Sequence, residues 1–196
     1  MSIKQNSTNF IACGGEKSIS QILKDLSNAC SFKNKRIAYV IIAAENNKEF
    51  LEVINSGFDR LRKIFELLGA KNIFLVKQKN ISDLYNAQIV IFSGGDTSFL
   101  IKSLKEENFS EKIQKQDNNI ETIVGISAGA IVLFEKGIGS KNDKEYIFNG
   151  LGLLPGVIVV HSNKELQKKY PRAIHLKDYE LYKKRIKKTA LSKRYS

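Results

Sequence analysis

Apolar and polar residues follow one another along this chain in blocks that predict strands and helices in turn. Short, nearly uninterrupted apolar runs are typical of strands that are buried on both faces. These runs lie at 10–13, 36–44, 73–76, 88–92, 120–125 and 157–160. Other segments repeat apolar residues every three or four positions, the spacing of a helix that packs one face on a core. These segments lie at 19–29, 48–68, 81–87, 97–104 and 128–134. The alternation predicts an α/β fold with a mostly parallel sheet and helices on both faces.

Length and composition fit one globular α/β domain. The chain has 196 residues, of which 42% are hydrophobic and 27% are charged. No apolar run approaches the roughly 18–20 residues of a membrane span. The first residues, MSIKQNSTNF, lack the charged and then apolar pattern of a secretory signal. We therefore expect a cytoplasmic protein that has no membrane partner.

The positive charge is concentrated towards the end of the sequence. Residues 162–196 contain twelve Lys and Arg against three Asp and Glu, which gives +9 of the net +12. We therefore divide the chain into an α/β domain at 1–162 and a basic, helical tail at 163–196. Tyr179, Tyr182 and Ile186 follow helical spacing among the basic residues, a pattern that can suit RNA. A solvated charged face is the commoner meaning of such a run, so nucleic acid is disfavoured as a partner.

The two cysteines give no sign of a metal site. Cys13 and Cys30 are far apart in the sequence, and neither belongs to a Cys-x-x-Cys motif or a Cys/His cluster. Reduced, partly buried thiols are the expectation. The sequence predicts neither a metal nor an organic cofactor.

The most specific motif is Gly-Ile-Ser-Ala-Gly at 125–129, within IVGISAGAIVLF. It fits the G-x-S-x-G pattern, with a predicted strand before it and a predicted helix after it. Such a sharp turn presents the serine side chain, and the amide of Ala128 is the natural donor to an oxyanion. The alternative is a tight turn in which Ser127 only caps the helix.

A serine nucleophile needs a base, and the chain has two histidines. His161 follows an apolar strand, whereas His175 lies in a lysine-rich segment, so His161 is the preferred base. In parallel sheets, ligands bind beyond the carboxyl ends of the strands. Gly94-Gly95-Asp96, Ser127 and His161 all fall at predicted strand ends, so we expect them to form one site.

Three blocks of the sequence resemble peptidase family S51, the group that contains aspartyl dipeptidase (dipeptidase E) and cyanophycinase. The blocks are IVIFSGGDTSFLIKSL at 89–104, IVGISAGAIVLF at 123–134 and LGLLPGVIVVHS at 151–162. The resemblance covers most of 9–162. It implies a class I glutamine amidotransferase-like fold with serine in place of cysteine, and a serine-type peptidase that acts on a small peptide without a cofactor.

The resemblance also assigns roles to single residues. Ser127 matches the family's nucleophile and His161 its general base. Gly95 matches the glycine whose amide joins that of Ala128 in the oxyanion hole.

Two acidic residues receive roles in the same way. Asp96 stands at a position where relatives have Asn or Asp, which implies contact with the substrate. Asp143, in the pair Asn142-Asp143, matches the aspartate that is assigned as the triad acid, although other accounts of the family give this role to a glutamate on a later strand.

Two alternatives to an active peptidase stay open. The family pattern continues further beyond the histidine than this chain does, so the fold is expected to be shortened at its C-terminus. A catalytically degenerate or truncated relative without activity is therefore the second hypothesis, and binding of nucleic acid through the tail is the third. A shortened sheet edge would also favour a homodimer.

Overall fold

The computed structural model describes residues 7–15, 26–114, 118–141, 144–177 and 180–187. Within them, ten strands form two sheets. The strands are β1 (Ser7–Cys13), β2 (Arg36–Val40), β3 (Asn72–Val76), β4 (Ile89–Phe92), β5 (Thr122–Ile126), β6 (Phe134–Lys141), β7 (Lys144–Asn149), β8 (Leu154–Val159), β9 (Ile174–His175) and β10 (Leu181–Lys187). The larger sheet has the order β10-β1-β5-β4-β2-β3, and only β10 runs antiparallel to its neighbour. The predicted mostly parallel α/β architecture is confirmed.

The larger sheet is buried on both faces, which explains the unbroken apolar runs in the sequence. Along β1, Phe10 and Ala12 belong to one core cluster, whereas Ile11 and Cys13 belong to the other. Each of the four side chains is at most 2% exposed. Because successive residues of a strand point to opposite faces, every position of such a strand must be apolar.

Helices pack on both faces of this sheet. They are α1 (Lys48–Leu67), α2 (Thr97–Glu106), α3 (Phe109–Gln114) and α4 (Ala128–Leu133), whereas α5 (Lys164–Lys169) buries no side chain. The longest, α1, buries Phe58, Leu61 and Phe65 in the cluster that contains Ile11. By contrast, α2 buries Leu100 and Leu104 in the cluster that contains Phe10. Among the described residues, no helix combines the length and the apolar character that crossing a membrane would require.

One predicted strand ends earlier than expected, and one predicted helix is described only in part. The apolar run at 36–44 was expected to be one strand, but the strand stops at Val40 and a 3-10 turn covers Ile42–Ala44. All three turn residues are at most 1% exposed, so burial alone does not separate strand from turn. Of the predicted helix at 19–29, only 26–29 lie among the described residues, and these are helical.

The smaller sheet was not anticipated. Its order is β7-β6-β8-β9, with an antiparallel hairpin of β6 and β7 and parallel pairing of β8 to both β6 and β9. The strand predicted at 157–160 is part of β8 and therefore belongs to this second sheet. This strand was predicted to be the last one, but β9 and β10 follow it.

The prediction of a helical tail is wrong at 181–187. These residues form β10, which pairs along the whole of β1, from Ser7 opposite Lys187 to Cys13 opposite Leu181. Tyr182 and Ile186 lie four residues apart, a spacing that fits both a helix and one face of a strand. Ile186 is 7% exposed in the core, and the Tyr182 ring lies 5.6 Å from that of Phe134. Tyr179, the other aromatic of the predicted helix, lies outside the described residues.

Candidate active site

Ser127 lies on a strained turn between β5 and α4. Its backbone has φ 51° and ψ −109°, a conformation that is rare for a residue with a side chain. Its N–H donates to the carbonyl of Cys13 in the neighbouring β1, at 3.0 Å. Its hydroxyl caps none of the described N–H groups of α4. The side chain is therefore presented outward, and Ser127 does not act as the side-chain cap of α4.

Two glycines make this turn sterically feasible. A Cβ on Gly125 would lie 2.2 Å from the carbonyl oxygen of Gly129, and a Cβ on Gly129 would lie 2.4 Å from that of Phe92. Both distances are far below van der Waals contact. The first and last positions of the G-x-S-x-G motif are thus glycine because α4 starts directly against β5 and β4.

The turn after β4 lies beside Ser127. A Cβ on Gly94 would lie 3.4 Å from the Cβ of Ser127, which is ordinary van der Waals contact. Gly95 has φ +132°, and a Cβ there would lie 2.2 Å from the carbonyl oxygen of Ala43. Among the described residues, no acceptor is found for the Gly95 N–H. The N–H of Ala128 is the first of α4, where no intrahelical acceptor exists.

Asp96 has a capping role in the structure. One carboxylate oxygen, Oδ1, accepts the N–H of Phe99 at 3.0 Å and thereby caps α2. The other, Oδ2, lies 3.4 Å from Nδ2 of Asn46. The backbone N–H of Asp96 donates to Ala43 at 2.7 Å. These contacts fix the turn that carries Gly95. They do not test the predicted contact between Asp96 and a substrate, which stays a prediction.

His161 reaches Ser127 from the second sheet. It follows β8, and its Nε2 lies 2.8 Å from the Oγ of Ser127. Its backbone φ is 52°, so the two residues that meet here both have left-handed φ values. The sequence predicted that Ser127 and His161 lie at one site, and the structure brings them into hydrogen-bond distance. Asp143, the predicted acid, lies outside the described residues.

The second histidine is engaged elsewhere. The Nδ1 of His175 lies 2.8 Å from the Oγ of Ser162, and its Nε2 lies 2.9 Å from the carbonyl oxygen of Tyr170. A carbonyl only accepts, so Nε2 carries a hydrogen, and in the neutral ring Nδ1 accepts from the hydroxyl. No pattern in the sequence predicted this pair, because it depends on a contact between residues thirteen positions apart.

A cavity of about 300 Å³ opens beside His161, between the β6–β7 hairpin and α5. Its polar lining includes Glu145, Asn163 and Lys169. The Lys169 ammonium donates to Glu145 at 2.8 Å, and the Tyr170 hydroxyl donates to the same oxygen. These hydrogen bonds, that of Lys169 first, hold the pKa of Glu145 below its ordinary value. None of these lining residues was singled out from the sequence, because the hairpin that carries Glu145 was not predicted.

Comparison with known sequences identifies a family and one relative. Residues 9–184 match the sequence profile of Peptidase family S51. A protein of Nostoc sp. (strain PCC 7120) named peptidase E is 29% identical over 162 residues. That alignment covers 80% of this chain and 62% of the relative. The chain thus spans less than two thirds of the length of this relative.

Comparison with solved structures identifies the same fold. A structure from Listeria monocytogenes EGD-e, assigned as a peptidase E protein, superposes with a TM-score of 0.62 at 16% identity. The match covers 92% of this chain and 99% of that one. A peptidase from an acI-B1 actinobacterium superposes with a TM-score of 0.60 at 19% identity, covering 90% of this chain and 83% of that one. At these identities the likeness establishes the fold.

Proposed function

Because this chain belongs to Peptidase family S51, we propose that it is a serine-type peptidase that hydrolyses an amide bond of a small peptide. The observation that carries the proposal is the 2.8 Å distance between Oγ of Ser127 and Nε2 of His161. A nucleophile and a base within hydrogen-bond reach are the minimum that this chemistry requires.

In the proposed reaction, Ser127 is the nucleophile and His161 the general base. His161 accepts the hydroxyl proton as Oγ attacks the scissile carbonyl, and then donates that proton to the leaving amine. Water, activated by the same imidazole, then hydrolyses the acyl-enzyme and restores Ser127. The acid that orients the imidazole is assigned to Asp143 on family resemblance alone.

The oxyanion hole of this proposal consists of the N–H groups of Gly95 and Ala128. Two features support the assignment. Both groups flank the serine, and neither N–H is used by the described backbone around it. Donors that are fixed before the reaction stabilise the developing negative charge, and losing one costs on the order of 10²–10³ in rate.

The size of the neighbouring cavity favours a small substrate. About 300 Å³ lies at the lower limit of ordinary ligand pockets, which suits a short peptide better than a folded polypeptide. The paired Glu145 and Lys169 side chains supply both a hydrogen-bond acceptor and a donor beside His161. A substrate that extends into this cavity is therefore expected to have polar groups in that part of the molecule.

An activity-based probe tests the proposal directly. A fluorophosphonate should label the purified protein, and Ser127→Ala and His161→Gln should abolish labelling. Ser103→Ala is the matched control, because it removes the hydroxyl of a different serine, one that is buried and bonds only within α2, at 3.0 Å to the carbonyl of Phe99. Ser103→Ala should label at the wild-type rate.

Hydrolysis of a panel of dipeptides, followed by release of free amine, supplies the second measurement. Cleavage by the wild type that is lost in Ser127→Ala supports a peptidase. A protein that unfolds cooperatively but neither labels nor cleaves any member of the panel would overturn the proposal and favour the inactive relative.

A further inference from the structure

The backbone around His161 is held by hydrogen bonds to a single residue, Leu176, one before His161 and one after it. Leu176 donates its N–H to the carbonyl of Val159 at 2.9 Å and accepts the N–H of Ser162 at 3.1 Å. Val160 and His161 lie between these two bonds. Leu176 is 4% exposed, so the closure is anchored in the core. The backbone that carries the proposed base is thus held in place by Leu176, the residue that follows β9.

The φ of 52° at His161 must be maintained by its surroundings. A residue with a side chain pays on the order of 1–3 kcal/mol for such a conformation, and it persists only when neighbouring contacts over-determine it. If the backbone relaxed to an extended conformation, the imidazole would leave its position 2.8 Å from Ser127. The N–H of Val160 also donates to the carbonyl of Ile138, at 3.4 Å, but this bond precedes His161. A further contact should therefore secure the residue that follows His161.

The side chains of Ser162 and His175 supply that contact. Ser162 is 8% exposed, and its hydroxyl lies 2.8 Å from Nδ1 of His175. The opposite ring nitrogen is bonded to the carbonyl of Tyr170 at 2.9 Å, which fixes the ring, and in the neutral ring Nδ1 then accepts from the Ser162 hydroxyl. Ser162 is thus tied to β9 by its side chain and to the residue after β9 by its backbone.

We propose that Ser162 and His175 are positioning residues for His161, an inference that rests on the proposed function of that histidine. Their side-chain hydrogen bond locks the backbone immediately after His161 and thereby keeps Nε2 at Ser127. Neither residue touches the reacting atoms. Their effect is transmitted through the strained backbone of His161, so it should appear in the chemical step more than in substrate binding.

Kinetics separate positioning from a merely structural role. Ser162→Ala should lower kcat by about ten- to a hundredfold, as expected for a misplacement of the base by about 1 Å, with KM within about twofold of the wild type. Ser162→Thr, which keeps the hydroxyl, should recover most of kcat. Ser103→Ala should leave both constants unchanged. His175→Leu removes the same bond from the other side and should reproduce the effect of Ser162→Ala.

A spectroscopic measurement keeps the test independent of activity. The chain contains only two histidines, so a protein labelled with ¹⁵N-histidine gives two imidazole spin systems, assigned with His161→Gln and His175→Leu. Ser162→Ala should shift the ring nitrogens of His161 as well as those of His175. Ser162→Thr should restore the His161 signals.

The outcomes distinguish failure of this inference from failure of the proposed function. If the wild type reacts with the fluorophosphonate and Ser162→Ala reacts at the same rate with unchanged His161 signals, positioning is overturned and the peptidase stands. If the wild type never reacts but the His161 signals still depend on Ser162, the peptidase is overturned and positioning stands. Unchanged His161 signals in both Ser162→Ala and His175→Leu overturn positioning whatever the activity.

Discussion

Gly129, in the first turn of α4, lies directly against the carbonyl oxygen of Phe92 at the end of β4. A Cβ on Gly129 would come within 2.4 Å of that oxygen. This approach locks the start of α4 onto the sheet and thereby fixes the turn that presents Ser127. Packing therefore requires glycine at the last position of the motif. This requirement can be tested by stability measurements, separately from the proposed catalysis by Ser127.

We expect Gly129→Ala to destabilise the fold, because the new methyl group would push the backbone of α4 away from the backbone of β4 at Phe92. The cost should be about 1–3 kcal/mol, the usual range for overpacking, and urea denaturation would measure it. Gly57→Ala is the matched control. A Cβ on Gly57 would meet no atom within 4 Å, and alanine in a helix interior should stabilise α1 by about 1 kcal/mol. Equal midpoints for Gly129→Ala and the wild type would contradict this account.

Asp96 allows capping and substrate binding to be separated. Asp96→Ala should cost about 1 kcal/mol of stability through loss of the N-cap of α2, whereas Asp96→Asn keeps an acceptor for Phe99 and should remain near wild type. Asn47→Ala, which removes the N-cap of α1, should cost a similar amount and leave kinetics unchanged. If Asp96→Asn raises KM while thermal stability is preserved, the carboxylate charge also contacts the substrate. An unchanged KM limits Asp96 to its capping role.

Burial raises the pKa of the Cys30 thiol to about 11, against an opposing effect of Lys183. Since the thiolate is the reactive form, iodoacetamide at pH 8 should modify Cys30 on the order of a hundredfold more slowly than a free cysteine. The rate should rise about tenfold per pH unit until the pH approaches 11. Mass spectrometry of the peptide that contains Cys30 gives the rate.

Lys183→Ala should slow this alkylation further, because the remaining favourable charge is lost. The proposed peptidase activity should survive the reagent, since the proposed nucleophile is the oxygen of Ser127. Rapid modification of Cys30 in the folded protein at pH 8 would argue against the raised pKa of this half-buried thiol.

The strand β10 predicts that Ile186 stabilises the core. It is 7% exposed and lies opposite Thr8 of β1. Ile186→Ala should therefore cost about 2–5 kcal/mol, as other large-to-small core substitutions do. Lys187→Ala, one residue on and exposed, should change stability by less than about 0.5 kcal/mol. A solvated tail would instead make the two variants equally neutral in thermal unfolding.

The fold was predictable where burial imposes one pattern. β2, β4 and β5 have both faces covered, so their apolar runs identified them within a few residues. The β6–β7 hairpin was missed because its sequence, from Phe134 to Asn149, is rich in charge and glycine and does not alternate strongly. β10 was mistaken for a helix because the four-residue spacing from Tyr182 to Ile186 fits both periodicities.

The site was predictable in its parts and less so in its assembly. The G-x-S-x-G pattern led to Ser127, and the end of an apolar strand led to His161. The two residues come from different sheets, because β8 pairs with β6 and not with a strand of the larger sheet. Tertiary packing determines this pairing, and the local sequence does not show it. The Ser162–His175 contact likewise exists only once β9 pairs with β8.

The pairing of β1 with β10 also has a consequence for synthesis on the ribosome. β1 is synthesised long before β10, which is not made until translation has passed residue 187. One edge of β1 must therefore stay unpaired in the nascent chain while nearly all the intervening sequence is added. An apolar strand with an open edge is a site for wrong pairing, so we expect chaperone protection to matter during this interval.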